Sequence, residues 1–212
     1  MDSLANMRKD YQLQKLSEES VDDSPFQQFS VWWKEAVEAK IEEVNAMVLA
    51  TASADGTPAA RMVLMKAFNE NGFVFFSNYN SNKGKQLQEN ARACLVFFWK
   101  ELERQVRITG TVSKTSSKES DDYFHIRPEE SKIGAWASPQ SRVIKSREWL
   151  EENEKQFHKR FDKEKITRPE NWGGYRVMPV VIEFWQGRAN RLHDRIQYSL
   201  QNDKWIIERL AP

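Results

Sequence analysis

AMVLATASADGTPAARMVLMKAFNENGFVFFS, residues 46–77, sets short apolar runs against turn dipeptides at Asp55-Gly56 and Asn71-Gly72. Asp-Gly and Asn-Gly supply the positive φ angles that a tight hairpin needs. The spacing therefore predicts strands over 46–53, 59–68 and 73–77. The same texture returns in RACLVFFW (92–99) and RQVRITGTVSK (104–114), and again in YRVMPVVIEFW (175–185), RIQYSL (195–200) and KWIIERL (204–210). Short strands joined by hairpins argue for an antiparallel barrel rather than a βαβ sheet.

Helices are expected between these runs. Ser24-Pro25-Phe26-Gln27 reads as an N-cap serine, a first-turn proline and a capping-box glutamine, with Phe26, Phe29, Trp33, Ala36 and Val37 on one face. A short helix should run from Ser81 to Asn90. Another, capped by Ser116 or Ser117, should carry Tyr123, Phe124 and Arg127 and stop at Pro128. A charged helix over Ser146–Phe161 should present a solvated face. Residues 1–23 are polar and read as a flexible N-terminal arm; 24–212 read as one domain.

Composition narrows the function. The 212 residues carry 32 basic and 31 acidic side chains, a net charge of +1, without the basic excess of a nucleic-acid binder. One cysteine, Cys94 in an apolar run, precludes an intrachain disulfide, and with three histidines it gives no dedicated zinc site, so no metal is expected. No secretory signal or membrane-length apolar run is visible, and a soluble, cytoplasmic protein is expected. Aromatic residues reach 12%, a content suited to stacking surfaces, a large core or a subunit interface.

Four clusters carry polar groups that core packing alone does not explain. In RMVLMK, strand alternation puts Arg61 and Lys66 on opposite faces, which suggests two anionic groups approached from two sides, or two strand ends that simply reach solvent. Ser81-Asn82-Lys83-Gly84-Lys85 opens a helix, where free N–H groups attract anions, although surface lysines are common there. Tyr123 and Arg127 fall four apart on a helix, with Ser131 beyond Pro128, which makes either a phosphate donor set or an ordinary amphipathic edge. Arg191, His193 and Arg195 alternate onto one strand face, which must be wet or bind anionic matter.

RMVLMK, SNKGK, ERQVRITG, YFHIRPEESKIGAWASPQS, WGGY, EFWQG, RLHDR and the terminal ERLAP, in this order over residues 7–212, resemble the pyridoxine (pyridoxamine) 5′-phosphate oxidase family. The resemblance implies a mainly β fold with flanking helices (α+β), a six-stranded antiparallel split β-barrel, assembled as a homodimer with FMN at the subunit interface. It implies oxidation of pyridoxine and pyridoxamine 5′-phosphates to pyridoxal 5′-phosphate, with dioxygen as acceptor and hydrogen peroxide as product. FMN is then contacted by Arg61, Met62, Val63, Leu64, Phe76, Ser77, Lys83, Gln105, Gln140, Ser141, Trp185 and Arg195. Lys66, Tyr123, Arg127 and Ser131 hold the substrate phosphate, Arg191 and His193 are catalytic over the pyridine ring, and Arg8 and Tyr11 belong to an arm that closes on the substrate. Asn82 departs from the family pattern, which commonly has arginine there, so one FMN phosphate contact is weakened or replaced. Two other readings are a split-barrel NAD(P)H-dependent flavin reductase, which has no need of Tyr123, Arg127 and Ser131, and a non-catalytic flavin or pyridoxal phosphate carrier.

Overall fold

Hairpin turns and period-two apolar runs translate into a single antiparallel sheet in the computed structural model, which describes residues 10–212. Its strands are β1 (Ala46–Ala52), β2 (Pro58–Leu64), β3 (Ala67–Asn69), β4 (Gly72–Asn78), β5 (Arg92–Trp99), β6 (Arg104–Lys114), β7 (Trp172–Gln186), β8 (Asp194–Gln201) and β9 (Lys204–Arg209). The helices are α1 (Pro25–Glu38), α2 (Asn82–Glu89), α3 (Ser117–Ile126), α4 (Glu129–Ala137) and α5 (Arg147–Phe161). Nine strands form where the resemblance implies six. Six of them, in the order β2-β1-β5-β6-β7-β4, make the curled body; three-residue β3 extends its edge, and the β8–β9 hairpin is added on β7. No helix among the described residues is long and apolar enough to cross a membrane.

β7 organises the sheet. Along one edge Tyr175–Gln186 pair with β6; along the other, Trp172–Val177 pair with β4 and Val181–Gln186 pair with β8. Between the two halves the register against β6 slips by one residue, from Thr109↔Val181 to Gly110↔Pro179. Pro179 cannot donate to the ladder, and proline is tolerated at such bulges. Gly110 is required opposite it, because an added Cβ would stand 2.1 Å from the Met178 carbonyl oxygen. The slip moves the inward set from Tyr175 and Val177 to Ile182 and Phe184.

The core lies between the curled sheet and α1. Phe29 is fully buried, with ring centroids of Phe68, Phe73 and Phe97 at 4.8, 4.9 and 5.4 Å. Each such ring removed from water contributes about 1.5–3 kcal/mol. The buried face of α1 is Phe26, Phe29, Trp32 and Ala36; Trp33 is only partly covered and Val37 is 48% exposed, so the expected face is rotated by about one position. Arg104 explains the rotation: its guanidinium lies 4.3 Å over the Trp32 ring and pairs with Glu35, drawing both inward. Ser24 is the N-cap and Pro25 the first residue, as predicted, but the Ser24 side chain makes no capping bond; Gln28 instead accepts Asp22 N–H at 3.0 Å.

Two further expectations change. The apolar run 59–68 is not one strand: it breaks at Met65-Lys66, where Met65 N–H donates to Asn45 O and Lys66 N–H to Val74 O. The helix expected to carry Arg127 ends at Ile126 with Arg127 as its C-cap, and Pro128, which does stop α3, is also the N-cap of a further helix, α4. Ser116 forms the capping box with Glu119, and Ser146 caps α5, which buries no residue. Residues 10–23 carry no helix or strand and lie along the body: Leu16 is buried, its N–H donates to Asp194 at 3.1 Å, and Arg209 pairs with Glu18 at 2.7 Å.

Candidate functional site

β2, the break after it, α2, α3 and α4 surround a cavity of about 510 Å³. Arg61, Met62, Val63 and Leu64 line it from β2 and Lys66 from the break, so Arg61 and Lys66 serve the same cavity rather than opposite sides of the sheet. The chain turns at Met65-Lys66, and strand alternation does not carry across that break. Phe76 and Ser77 come from β4, Lys83 from α2, Tyr123 from α3, Arg127 and Ser131 from either side of Pro128, and Gln140 from the loop after α4. Arg127 sits at the C-cap of α3 with extended backbone and Ser131 on α4, so the pair is brought together by the α3–α4 elbow, not by one helix face.

Among the described residues the cavity is lined by four cations, Arg61, Lys66, Lys83 and Arg127, and by no carboxylate. Arg61 is fixed by Leu49 O (3.1 Å), Thr51 Oγ1 (2.6 Å) and Gln86 Oε1 (3.1 Å); burial pushes its pKa down. Lys83 Nζ donates to Ser77 Oγ at 3.0 Å and Gln140 Oε1 at 2.9 Å. Burial, with Arg61 nearby, lowers its pKa to about 8. Ser81 Oγ accepts Gly84 N–H at the start of α2, and Gly84 admits no side chain, since a Cβ would meet Tyr79 O at 2.1 Å. Asn82 is exposed and does not line the cavity.

Arg127 is the outlying case. Its guanidinium lies 4.6 Å over Trp172, and the near-parallel rings of Phe76, Tyr123 and Trp172 cluster together, with 4.0 Å between the Phe76 and Tyr123 centroids. Its Nη1 is, among the described residues, the one buried side-chain polar atom with no hydrogen-bond partner. A buried, unmatched cationic donor costs several kcal/mol less once an anion accepts from it. Trp172 and Pro128 line the cavity and were missed; the WGGY motif was the available signal for the former.

The remaining site residues gather elsewhere. Gln105, Trp185 and Arg195 are cross-strand partners on β6, β7 and β8, and so share one face. Arg195 is held by Glu183 at 2.9 Å, which raises its pKa. His193 lies 4.6 Å from Trp185, and Tyr11 meets both rings edge-on. Arg191 and His193 do not alternate along a strand: Ala189–Arg191 form a 3-10 turn with Asn190 and Arg191 at φ 56° and 61°, and β8 starts only at Asp194. Arg188 N–H donates to His193 Nδ1 at 3.1 Å, so the neutral ring carries its proton on Nε2. Burial and then the Arg191 charge hold its pKa below the usual histidine value. Ser141 is exposed at φ 69°. None of Tyr11, Gln105, Ser141, Trp185, Arg191, His193 and Arg195 lines the cationic cavity, and Arg8 lies outside the described residues. On the surface of α4 and α5, Glu130, Glu154 and His158 cluster, with His158 paired to Glu130 at 3.0 Å.

Residues 33–159 match the family model described as pyridoxamine 5′-phosphate oxidase, and residues 172–212 that of the pyridoxine 5′-phosphate oxidase C-terminal dimerisation region. A pyridoxine/pyridoxamine 5′-phosphate oxidase of Trichormus variabilis is 56% identical over 99% of both chains, and one of Polynucleobacter asymbioticus 54% identical over the whole of both. Among solved structures, PhzG from Burkholderia lata in complex with tetrahydrophenazine-1-carboxylic acid superposes with a TM-score of 0.88 at 27% identity, covering 94% of this chain and 99% of that one. A pyridoxamine 5′-phosphate oxidase-related, FMN-binding protein from Nostoc punctiforme matches with a TM-score of 0.70 at 18% identity, over 89% of this chain and 98% of that one, a likeness of fold.

Proposed function

This chain belongs to the pyridoxamine 5′-phosphate oxidase family, and on that premise we propose how its residues divide the oxidation of pyridoxine and pyridoxamine 5′-phosphates to pyridoxal 5′-phosphate. The observation that carries the reading is a cavity whose described lining has no acid and four cations, one of them a half-buried guanidinium whose buried Nη1 has no partner among the described residues. Two phosphorylated ligands suit that donor set, and a singly anionic one leaves half of it unused.

Arg61, Lys83, Ser77 and Gln140 form the FMN phosphate side, and Met62, Val63, Leu64 and Phe76 the wall beside it. Lys66, Tyr123, Arg127 and Ser131 form the substrate phosphate side. When bound, FMN supplies the hydride acceptor, and dioxygen is the terminal oxidant, yielding hydrogen peroxide. The chain's own residues bind, orient and screen. Gln105, Trp185, Arg191, His193 and Arg195 complete the site from the partner subunit of a homodimer; Trp185 to Arg195 lie within the region that matches the dimerisation model. Arg191 and His193 then orient the pyridine ring, His193 as a donor through Nε2 because Nδ1 already accepts from Arg188. Within each subunit the six curled strands act as the split barrel that carries both half-sites.

The purified protein should carry a flavin spectrum that bleaches anaerobically on addition of pyridoxine 5′-phosphate. In air it should release peroxide and pyridoxal 5′-phosphate. Bleaching by NAD(P)H alone would establish the reductase instead, and no bleaching by either would establish a carrier.

FMN affinity should also depend on pH through Lys83. Free of ligand, its ammonium loses a proton at about 8. A phosphate dianion favours the protonated form, so above that pH binding must take up a proton, and Kd should rise by up to about tenfold per pH unit. Below it, Kd should be level until the phosphate itself protonates near about pH 6. Flavin fluorescence titrations between pH 7 and 9 read this directly. A flat Kd there, or the same slope in Lys83→Met, contradicts the assignment.

A further inference from the structure

Tyr11 reaches the Trp185–His193 pair from a segment with no helix or strand of its own, so something else must fix it there. Glu103 stands at the junction. It is 3% exposed and takes φ 54°, a left-handed backbone angle, just before β6. Its carbonyl accepts Gly187 N–H at 2.7 Å and the Gln186 amide at 3.3 Å, fixing the end of β7 one step beyond Trp185. Its carboxylate Oε2 accepts Gln12 N–H at 2.9 Å and Leu13 N–H at 3.2 Å, gripping the arm immediately after Tyr11. Bonds from backbone N–H to a carboxylate are the stronger kind, and stronger still when water is kept away. The seat itself is Gly187: a Cβ there would stand 2.7 Å from Tyr11 Cγ.

We propose that Glu103 is a positioning residue, a clasp that ties the arm to the end of β7 and holds Tyr11 against Trp185 and His193, thereby setting the affinity for substrate. The kinetic part rests on the oxidase reading; the clasp itself does not. The downstream anchors, Arg104 to Gln14 Oε1 and Leu16 N–H to Asp194, are separate, so loss of the clasp loosens residues 10–13 without releasing the whole arm.

The test uses the full-length, FMN-loaded protein. Glycine tolerates the left-handed backbone, so Glu103→Gly removes the carboxylate without adding strain. Amide exchange of Gln12 and Leu13, the two N–H groups the carboxylate accepts, should accelerate by about tenfold or more, while Leu16 keeps its protection. The KM for pyridoxine 5′-phosphate should rise by about three- to tenfold with kcat within about twofold of wild type. Glu103→Gln, whose amide oxygen still accepts, should restore both. Unchanged exchange in Glu103→Gly overturns the clasp. Faster exchange with an unmoved KM overturns the positioning role, as does a Gln variant that behaves like Gly. Should Glu103→Gly not fold, Gly187→Ala displaces Tyr11 with Glu103 intact and is expected to raise KM alike; an unaltered KM there overturns the proposal. A wild-type protein inactive on pyridoxine 5′-phosphate defeats the oxidase reading, and the exchange measurement still decides the clasp.

Discussion

Replacing His193 with alanine should lower kcat by about 10²–10³-fold while the protein still binds one FMN per chain, because the group acts on the reacting end of the substrate and not on the flavin phosphate. The geometry behind this is specific. Arg188 N–H occupies Nδ1, Trp185 backs the ring at 4.6 Å, and the arm's Tyr11 covers its edge, so Nε2 is presented with its proton in a fixed direction. Burial and Arg191 keep the ring neutral at pH 7. Protonation would turn Nδ1 into a donor facing the Arg188 N–H and break that bond. The pKa is lowered, so turnover should be full above the ordinary histidine value of about 6.5 and fall only as pH drops through the depressed one. Steady-state rates and flavin content measured together check this. Flavin and activity lost in equal proportion would place His193 in cofactor binding instead.

Arg127→Met should raise the KM for pyridoxine 5′-phosphate by about 10²-fold with kcat largely kept. A hydrogen bond to a charged group is worth about 1.5–3 kcal/mol, and the guanidinium can make two. Methionine preserves packing against Trp172 while removing every donor, including the buried Nη1 that has no partner among the described residues. The variant should therefore melt no lower than wild type: the site is freed of an uncompensated charge whose pKa burial already depresses. Discrimination between pyridoxine phosphate and pyridoxine itself should shrink with the phosphate contact. An unchanged KM for the phosphorylated substrate rules out Arg127 as its anchor.

The strands were legible because their signals are local. Asp55-Gly56 and Asn71-Gly72 turn where they stand, and alternation in β1, β5 and β6 reports burial residue by residue. What escaped was decided by distant partners. Trp32 displaced Trp33 from the buried face of α1 because Arg104, far along the chain, stacks on it. The break at Met65-Lys66 lies inside a run that alternates like a single strand, and only its bonds to Asn45 and Val74 reveal it. Pro128 signals the end of α3 equally well whether or not a helix restarts, so α4 left no separate mark. Arg191 and His193 read as strand because nothing in RLHDR announces the left-handed angle that Arg191 takes directly after Asn190. The cationic cavity was read nearly whole, since family motifs name its residues. Its separation from the Trp185–His193 surface was not, because periodicity describes a chain against itself and not against a second copy.

The one-residue slip in β7 acts as a frameshift. Upstream of Val180 odd-numbered side chains point inward, downstream even-numbered ones do, and the change of phase is what leaves Trp185 free to face outward beside His193 while Phe184 fills the interior. Since a shift of one position turns every later side chain over, this same sequence laid against β6 without the slip would send the indole into the barrel and the phenyl ring to the surface. The unpaired Val180 absorbs that difference, and so lets two opposite phases of side chains share one continuous strand.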